Sequence, residues 1–300
     1  MTVSTAEGAL TPRGWLGPAL LFVGALCIGF APIGLRLSEM GPQATALWRY
    51  VFALPLLFVL VLAAERRLPA APNRFAVLAG IFFALDVALW HWGLTLTTVA
   101  NATFIVNLGN ICVGFVAWLI FGERPSRVWG AAVLVALIGA ALLSQGGGAD
   151  GQADIRGDAL ALGAAVLVGG YMLCAQLARR SLSALDALFW MTAVQVVVAL
   201  AVTLAAGETL WPQTASAWWP LIFLGLVAHV AGQGLIVAGL GRTSAAVAGI
   251  IVLAQPVMAA AVSWRLFGET LAGLQIFGAG MILAAVYLAQ AGQNTSKPSQ

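Results

Sequence analysis

Long apolar runs alternate with short polar breaks along the whole chain. Read in windows of about 20 residues, the length that crosses a bilayer as a helix, they predict ten spans. These fall at 15–35, 43–63, 75–96, 99–121, 128–146, 157–178, 185–206, 216–239, 244–267 and 272–291. The first run is too long, and too much like those that follow, to read as a cleaved signal peptide. The longest break, "GGGADGQADIRG" at 146–157, is too short to hide a soluble catalytic domain. Function is therefore expected within the membrane.

Composition agrees with this pattern. The 300 residues are 61% hydrophobic and 8% charged, where a soluble domain carries about 25% charged residues. The few charges report topology, because loops on the cytoplasmic side retain Lys and Arg. With the N-terminus inside, Arg13, Arg66, Arg67, Arg74, Arg124, Arg127, Arg179, Arg180, Arg242 and Lys297 fall on the cytoplasmic side, against Arg36, Arg49, Arg156 and Arg265 elsewhere. Both termini are thus expected in the cytoplasm of a bacterial inner membrane. The net charge of +3 needs no nucleic-acid partner, since no basic stripe with interleaved aromatics occurs.

The chain also repeats itself. "GNICVGFVAWLIFGE" (109–123) aligns without a gap on "QPVMAAAVSWRLFGE" (255–269), placing Trp118 on Trp264 and Phe121-Gly122-Glu123 on Phe267-Gly268-Glu269. The same offset of 146 residues lays "LTLTTVANA" (94–102) on "LGRTSAAVA" (240–248), and farther upstream Trp190 resembles Trp48. Each half holds five spans. An odd number reverses the second half, so the two FGE motifs are expected on opposite faces of the bilayer. Inverted repeats of this kind are an architecture of alternating access with a midplane site; a duplication kept only for packing is the plain alternative. The expected divisions are a first five-helix repeat at 1–145, a periplasmic linker at 146–156, a second repeat at 157–291 and a cytoplasmic tail at 292–300.

The paired "WLIFGE…GA" and "WRLFGE…GA" motifs and the ten spans in two halves resemble the EamA-type branch of the drug/metabolite transporter superfamily, over residues 15–291. Within it the pattern looks most like bacterial amino-acid exporters, particularly aromatic amino acid exporters of the YddG type. The resemblance implies an all-α integral membrane protein with spans 1–4 and 6–9 around a central cavity and spans 5 and 10 outside. It carries substrate identity only loosely, since relatives handle drugs, sugars and other metabolites. After Glu269 the second motif lacks the counterparts of Pro125 and Arg127.

Polar residues inside the spans are the candidate chemistry. In the fourth run Thr103, Asn107, Asn110, Gly114 and Trp118 share one helical face. Such a face is expected to look inward, either to a wet cavity or to neighbouring helices that it ties together. The eighth run repeats the theme with Gly225, His229 and Gln233. Tyr171 and Gln176, Trp190 and Gln195, and Gln255 beside Pro256 add polar groups to the sixth, seventh and ninth. The fifth run has no charged or amide residue across 129–144, and the tenth has glutamines only near its ends.

Asp86 lies about half-way through the third run, where a charge is costly. It is read as a proton-exchanging or substrate-binding carboxylate, or as a protonated structural group. His91 is five residues on, about 140° away around the helix, so the two are not expected to bond one another. The histidine can meet a substrate carboxylate or tie helices together. Trp48 and Trp90 join these as cavity candidates, with packing the competing role. Arg49 is read as snorkelling to the outer interface, with an inward fork for a carboxylate as the alternative. Trp15, Trp129, Trp211, Trp218 and Trp219 read as interface anchors. Gly29, Pro32, Gly232 and Pro256 are the hinge candidates.

Enzymatic motifs are absent. Cys27, Cys112 and Cys174 are single and widely spaced, and no Walker lysine motif, HExxH or GxSxG occurs. No cofactor or metal is implied. The reading is a secondary transporter, compatible with a monomer, that exports amino acids or related small metabolites by alternating access. The competing classes are an exporter of drugs, sugars or other metabolites, a channel, and a membrane-embedded enzyme.

Overall fold

The computed structural model describes residues 15–97, 99–121, 126–144, 154–268 and 271–295. They form ten helical spans: α1 (Leu16–Leu37), α2 (Pro42–Glu65), α3 (Arg74–Leu96), α4 (Val99–Phe121), α5 (Arg127–Ser144), α6 (Ile155–Ala178), α7 (Ala184–Ala205), α8 (Ala215–Leu240), α9 (Ala245–Phe267) and α10 (Gly273–Thr295). Among the described residues, nine are long and apolar enough to cross a bilayer, and α4 carries a shorter apolar stretch, Phe104–Val116. Every predicted run finds its helix, because about 20 apolar residues have no alternative way to satisfy their backbone in lipid. Arg13, Glu123, Arg124, Glu269, Lys297 and most of the 146–157 break lie outside the described residues, so the faces occupied by the FGE motifs do too.

Lipid tails are as apolar as leucine, so helices associate through close packing rather than hydrophobic transfer. The main pairs are α3 with α6 and α1 with α8, α4 with α6 and α1 with α9, α3 with α7 and α2 with α8, and α2 with α7, α4 with α9 and α5 with α10. Exchanging the first five spans for the last five maps this set of pairs onto itself. The α5 and α10 helices touch chiefly each other, and their other substantial contacts are with α4 and α9. They cross where Gly139 meets Gly278: a β-carbon on either would stand 2.7 or 2.6 Å from the other's carbonyl oxygen. At the far end of the crossing the Gln275 amide donates to the Leu143 carbonyl at 3.2 Å.

Three spans depart from regular α geometry. The first, α1, breaks between Ile28 and Ala31, just ahead of Pro32. In α9 the pieces Ala245–Ile251 and Ala254–Phe267 flank a tight turn. Pro256 has no N–H to offer the carbonyl four residues back, so Val252 O accepts from Gln255 N instead, at 3.0 Å. A proline need not break a span, since Pro55 sits inside an unbroken α2. The third departure is a π-helical stretch, Leu224–Gln233, in α8. Such widened turns are rare and occur frequently at functional sites.

Candidate functional site

Buried polar side chains from five spans converge near the middle of the bundle. Arg49 and Tyr50 come from α2, Phe83 and Asp86 from α3, Tyr171 from α6, Thr192 from α7, and His229 and Gln233 from the π stretch of α8; all are buried. Tyr50 meets the His229 ring edge-on at 5.1 Å between centroids, and Phe83 meets Tyr171 at 4.9 Å. Arg49 lies 5.8 Å from the Phe83 ring and 6.0 Å from that of Tyr50, and its Nη2 donates to the Ala228 carbonyl at 3.4 Å. Thr192 Oγ1 and His229 Nε2 share a hydrogen bond of 2.8 Å, and the Gln233 amide donates to the Tyr171 hydroxyl.

Two features give this cluster chemical capacity. Arg49 and Asp86 attract one another through low-dielectric surroundings, yet Asp86 closes no ion pair or hydrogen bond among the described residues. Several buried polar atoms also lack a partner among the described residues: Arg49 Nε, Tyr50 OH, His229 Nδ1, Gln233 Oε1 and both amide atoms of Gln195, one turn along α7 from Thr192. Each such group costs about 1–3 kcal/mol if left unsatisfied. Their convergence suits a polar solute. Among the described residues no three His, Cys, Asp or Glu side chains gather around a common metal position.

Thr192 is the only partner of His229 Nε2 among the described residues. Thr192→Val keeps the shape and removes the hydroxyl, so it is expected to destabilise the folded protein by about 1–3 kcal/mol through the orphaned ring nitrogen. Thr192→Ser should recover most of that loss in a denaturant titration in detergent.

Of the sequence candidates, Asp86, Tyr171, His229 and Gln233 belong to this cluster, and Gln195 lies beside it. His91 is buried apart from Asp86. Its ring stacks on Trp90 at 5.3 Å and bonds the Pro42 backbone, where only a carbonyl is available. Asn107 and Asn110 are buried on α4, where the Asn110 amide donates to Asn107 Oδ1 at 3.4 Å, and Asn110 Oδ1 has no partner among the described residues; the side chain of Thr103 lies outside the description. Gln255 is half-buried, with its backbone against Gly29. All four hinge candidates lie at or beside irregular backbone: Gly29 and Pro32 at the α1 break, Gly232 in the π stretch, and Pro256 just after the α9 break.

Arg49 is the residue that the sequence reading misplaced: only 8% of it is exposed, and it points into the cluster rather than to the interface. Trp129 likewise is buried, with its indole donating to the Ala246 carbonyl at 3.0 Å, and is no exposed anchor. The pairing rule for intramembrane charges could have found Arg49, because Asp86 needed a counter-charge.

Trp48 and Trp190 lie away from the cluster, one toward each end of the bundle. Each is the seventh residue of the second helix of its half. Trp48 Nε1 donates to the Leu210 carbonyl at 2.7 Å, in the α7–α8 loop, and packs against Trp211 and Trp218. Trp190 Nε1 donates to the Ala70 carbonyl at 2.5 Å, in the α2–α3 loop. A carboxylate reinforces each contact. Glu208 accepts from the Gln43 and Ala44 N–H groups at 3.3 and 2.8 Å, the free donors of a helix start. Asp186 accepts from Arg67 Nη1 and Nη2 at 3.2 and 2.6 Å and from Ala70 N at 3.0 Å. The hydrogen bond to Asp186 pushes the Arg67 guanidinium up from its ordinary value.

Comparison with known proteins fits this geometry. An uncharacterized transporter of Bacillus subtilis (strain 168), YwfM, is 25% identical over 226 residues, which are 74% of this chain and 75% of that protein. A protein of known crystal structure has the same fold, with a TM-score of 0.80 over 94% of this chain and 99% of its own, at 16% identity. The EamA-like transporter family matches residues 15–145 and 155–290. This multi-pass membrane protein therefore belongs to the EamA-like transporter family.

Proposed function

We propose that the protein is a secondary transporter exporting amino acids, apolar or aromatic ones included, or related small metabolites across the bacterial inner membrane by alternating access. The observation that carries this reading is the placing of one buried polar cluster between two matching tryptophan latches, one toward each end of the bundle. In this reading residues 1–145 and 157–291 are inverted halves, both termini are cytoplasmic, and the Trp190 latch closes the cytoplasmic end. The cluster is the substrate site, with Asn107, Asn110, His91 and Gln255 in its walls. The two latches open in turn. The resemblance to amino-acid exporters of the YddG type supports the substrate class, and the buried aromatic rings suit an apolar side chain.

The test uses full-length protein in liposomes. Radiolabelled amino acids, drugs and sugars are assayed for counterflow, which a carrier performs and a channel does not. Access is then read from Gln195→Cys in a background with Cys27, Cys112 and Cys174 replaced by serine. Losing one latch hydrogen bond, worth about 1 kcal/mol, shifts a two-state equilibrium roughly fivefold. Trp190→Phe is therefore expected to raise labelling by an impermeant thiol reagent from the cytoplasmic side, and Trp48→Phe from the other. If both variants open the same side, or neither changes labelling, alternating access is wrong.

A further inference from the structure

The central cluster holds a buried arginine and a buried aspartate that form no ion pair with one another. Opposite charges attract more strongly in low-dielectric surroundings than in water, yet no ion pair joins Arg49 to Asp86. The fold holds the guanidinium over aromatic surface instead, 5.8 Å from the ring of Phe83, which precedes Asp86 by one turn on α3. Among the described residues the Arg49 guanidinium makes one hydrogen bond, at 3.4 Å, and its Nε has no partner. The planar guanidinium suits two parallel hydrogen bonds to a carboxylate, and its Nε is open to one of them.

A ligand entering this cluster meets a guanidinium and a carboxyl group, whose charges sum to zero when Asp86 is ionised. An organic cation would satisfy Asp86 and leave Arg49 buried with a like charge nearby, and an organic anion would do the reverse. Leaving either charge uncompensated in a desolvated site is costly. A molecule with both charges a few ångströms apart satisfies both at once. We infer that Arg49 and Asp86 together recognise a zwitterion, the guanidinium taking the α-carboxylate of an amino acid and the Asp86 carboxylate its ammonium group, with the side chain lying among Tyr50, Phe83 and Tyr171.

This inference rests on the transport reading for its biological sense, but a binding measurement tests it separately. Purified full-length protein in detergent is titrated with L-phenylalanine, phenylalaninamide, phenylethylamine and 3-phenylpropionate, with binding read by ligand-dependent thermal shift. Phenylalanine is expected to bind, and each analogue lacking one charge to bind about 10- to 100-fold more weakly, the range for losing a charge-assisted hydrogen bond. This comparison needs no variant. Arg49→Gln, checked for monodispersity, should lose the preference for phenylalanine over the amide, and Asp86→Asn the preference for phenylalanine over phenylpropionate. Arg49→Lys keeps the charge without the fork and should retain part of the first preference.

Equal binding of phenylalanine and its singly charged analogues, no phenylalanine binding, or unchanged preferences in folded Arg49→Gln and Asp86→Asn would each overturn the inference. Counterflow of a sugar or a cationic drug in those circumstances would leave the transporter reading standing. Zwitterion binding without counterflow of any solute would sustain the inference and sink the transporter reading.

Discussion

Gly249→Ala is expected to be among the most damaging single-methyl additions in the protein. A β-carbon at Gly249 would stand 1.9 Å from the Asn110 carbonyl oxygen, and one at Gly109 would stand 2.1 Å from the Ala165 carbonyl oxygen. Both obstacles are backbone, which cannot swing aside. The two contacts fix α4 against α9 on one side and α6 on the other. Forcing an extra methyl into a packed interior costs about 1–3 kcal/mol and sometimes more, and a rigid backbone obstacle belongs at the upper end. Gly249→Ala and Gly109→Ala should each lower folded yield and unfolding midpoint in detergent. Gly130→Ala is the control: with nothing within 4 Å of its β-carbon position, it should be silent or slightly stabilising in its helix. Equal behaviour of all three would mean that α4 is not held in this way.

Asp186→Ala should produce the largest loss from removal of a polar group. Its carboxylate is buried and accepts from Arg67 twice, from the Ala70 N–H and from the Ser183 hydroxyl at 3.0 Å. Breaking a buried pair costs about 3–5 kcal/mol. Because the Arg67 side chain is 43% exposed and can return to water, the expected cost is discounted to roughly 2–3 kcal/mol. Asp186→Asn keeps one acceptor oxygen, for the Ala70 N–H, while its amide nitrogen can only donate to the Ser183 hydroxyl, so it should fall between wild type and alanine. Denaturant titrations of the three proteins check the order. Arg67→Ala alone should be milder than Asp186→Ala, since it removes the exposed partner and leaves the N–H and hydroxyl bonds in place.

The ten helices were legible because bilayer thickness imposes one length on every apolar run, and their ends are marked by polar residues such as Asn73 and Ser183, which cap α3 and α7. The break in α9 was half legible: Pro256 marks the missing donor, but the turn forms three to four residues earlier, where the orphaned Val252 carbonyl finds Gln255 N. The π stretch in α8 was not legible, because no residue type in "LGLVAHVAGQ" demands a widened turn; glycine there serves ordinary α-helix packing as well. Asp86 drew attention as a lone acid in an apolar run. Arg49 was read as snorkelling instead, because it stands only seven residues beyond Pro42 at the start of α2. Its rotation decides the matter: it shares the inward side of α2 with Ala46 and Ala53, which are buried. Trp48, adjacent in sequence, is turned by about 100° and so leaves the central cluster for the loop at the end of the bundle.

Both indole donors end on main-chain oxygens, at Ala70 and Leu210, and this hides half of each clasp from genetics. Any amino acid except those that distort the loop presents the same oxygen, so a mutational scan would flag the tryptophans and pass over the positions they grip. Only a change in the backbone itself, such as an ester placed after residue 70 or 210 to weaken the acceptor, would expose that half of the contact.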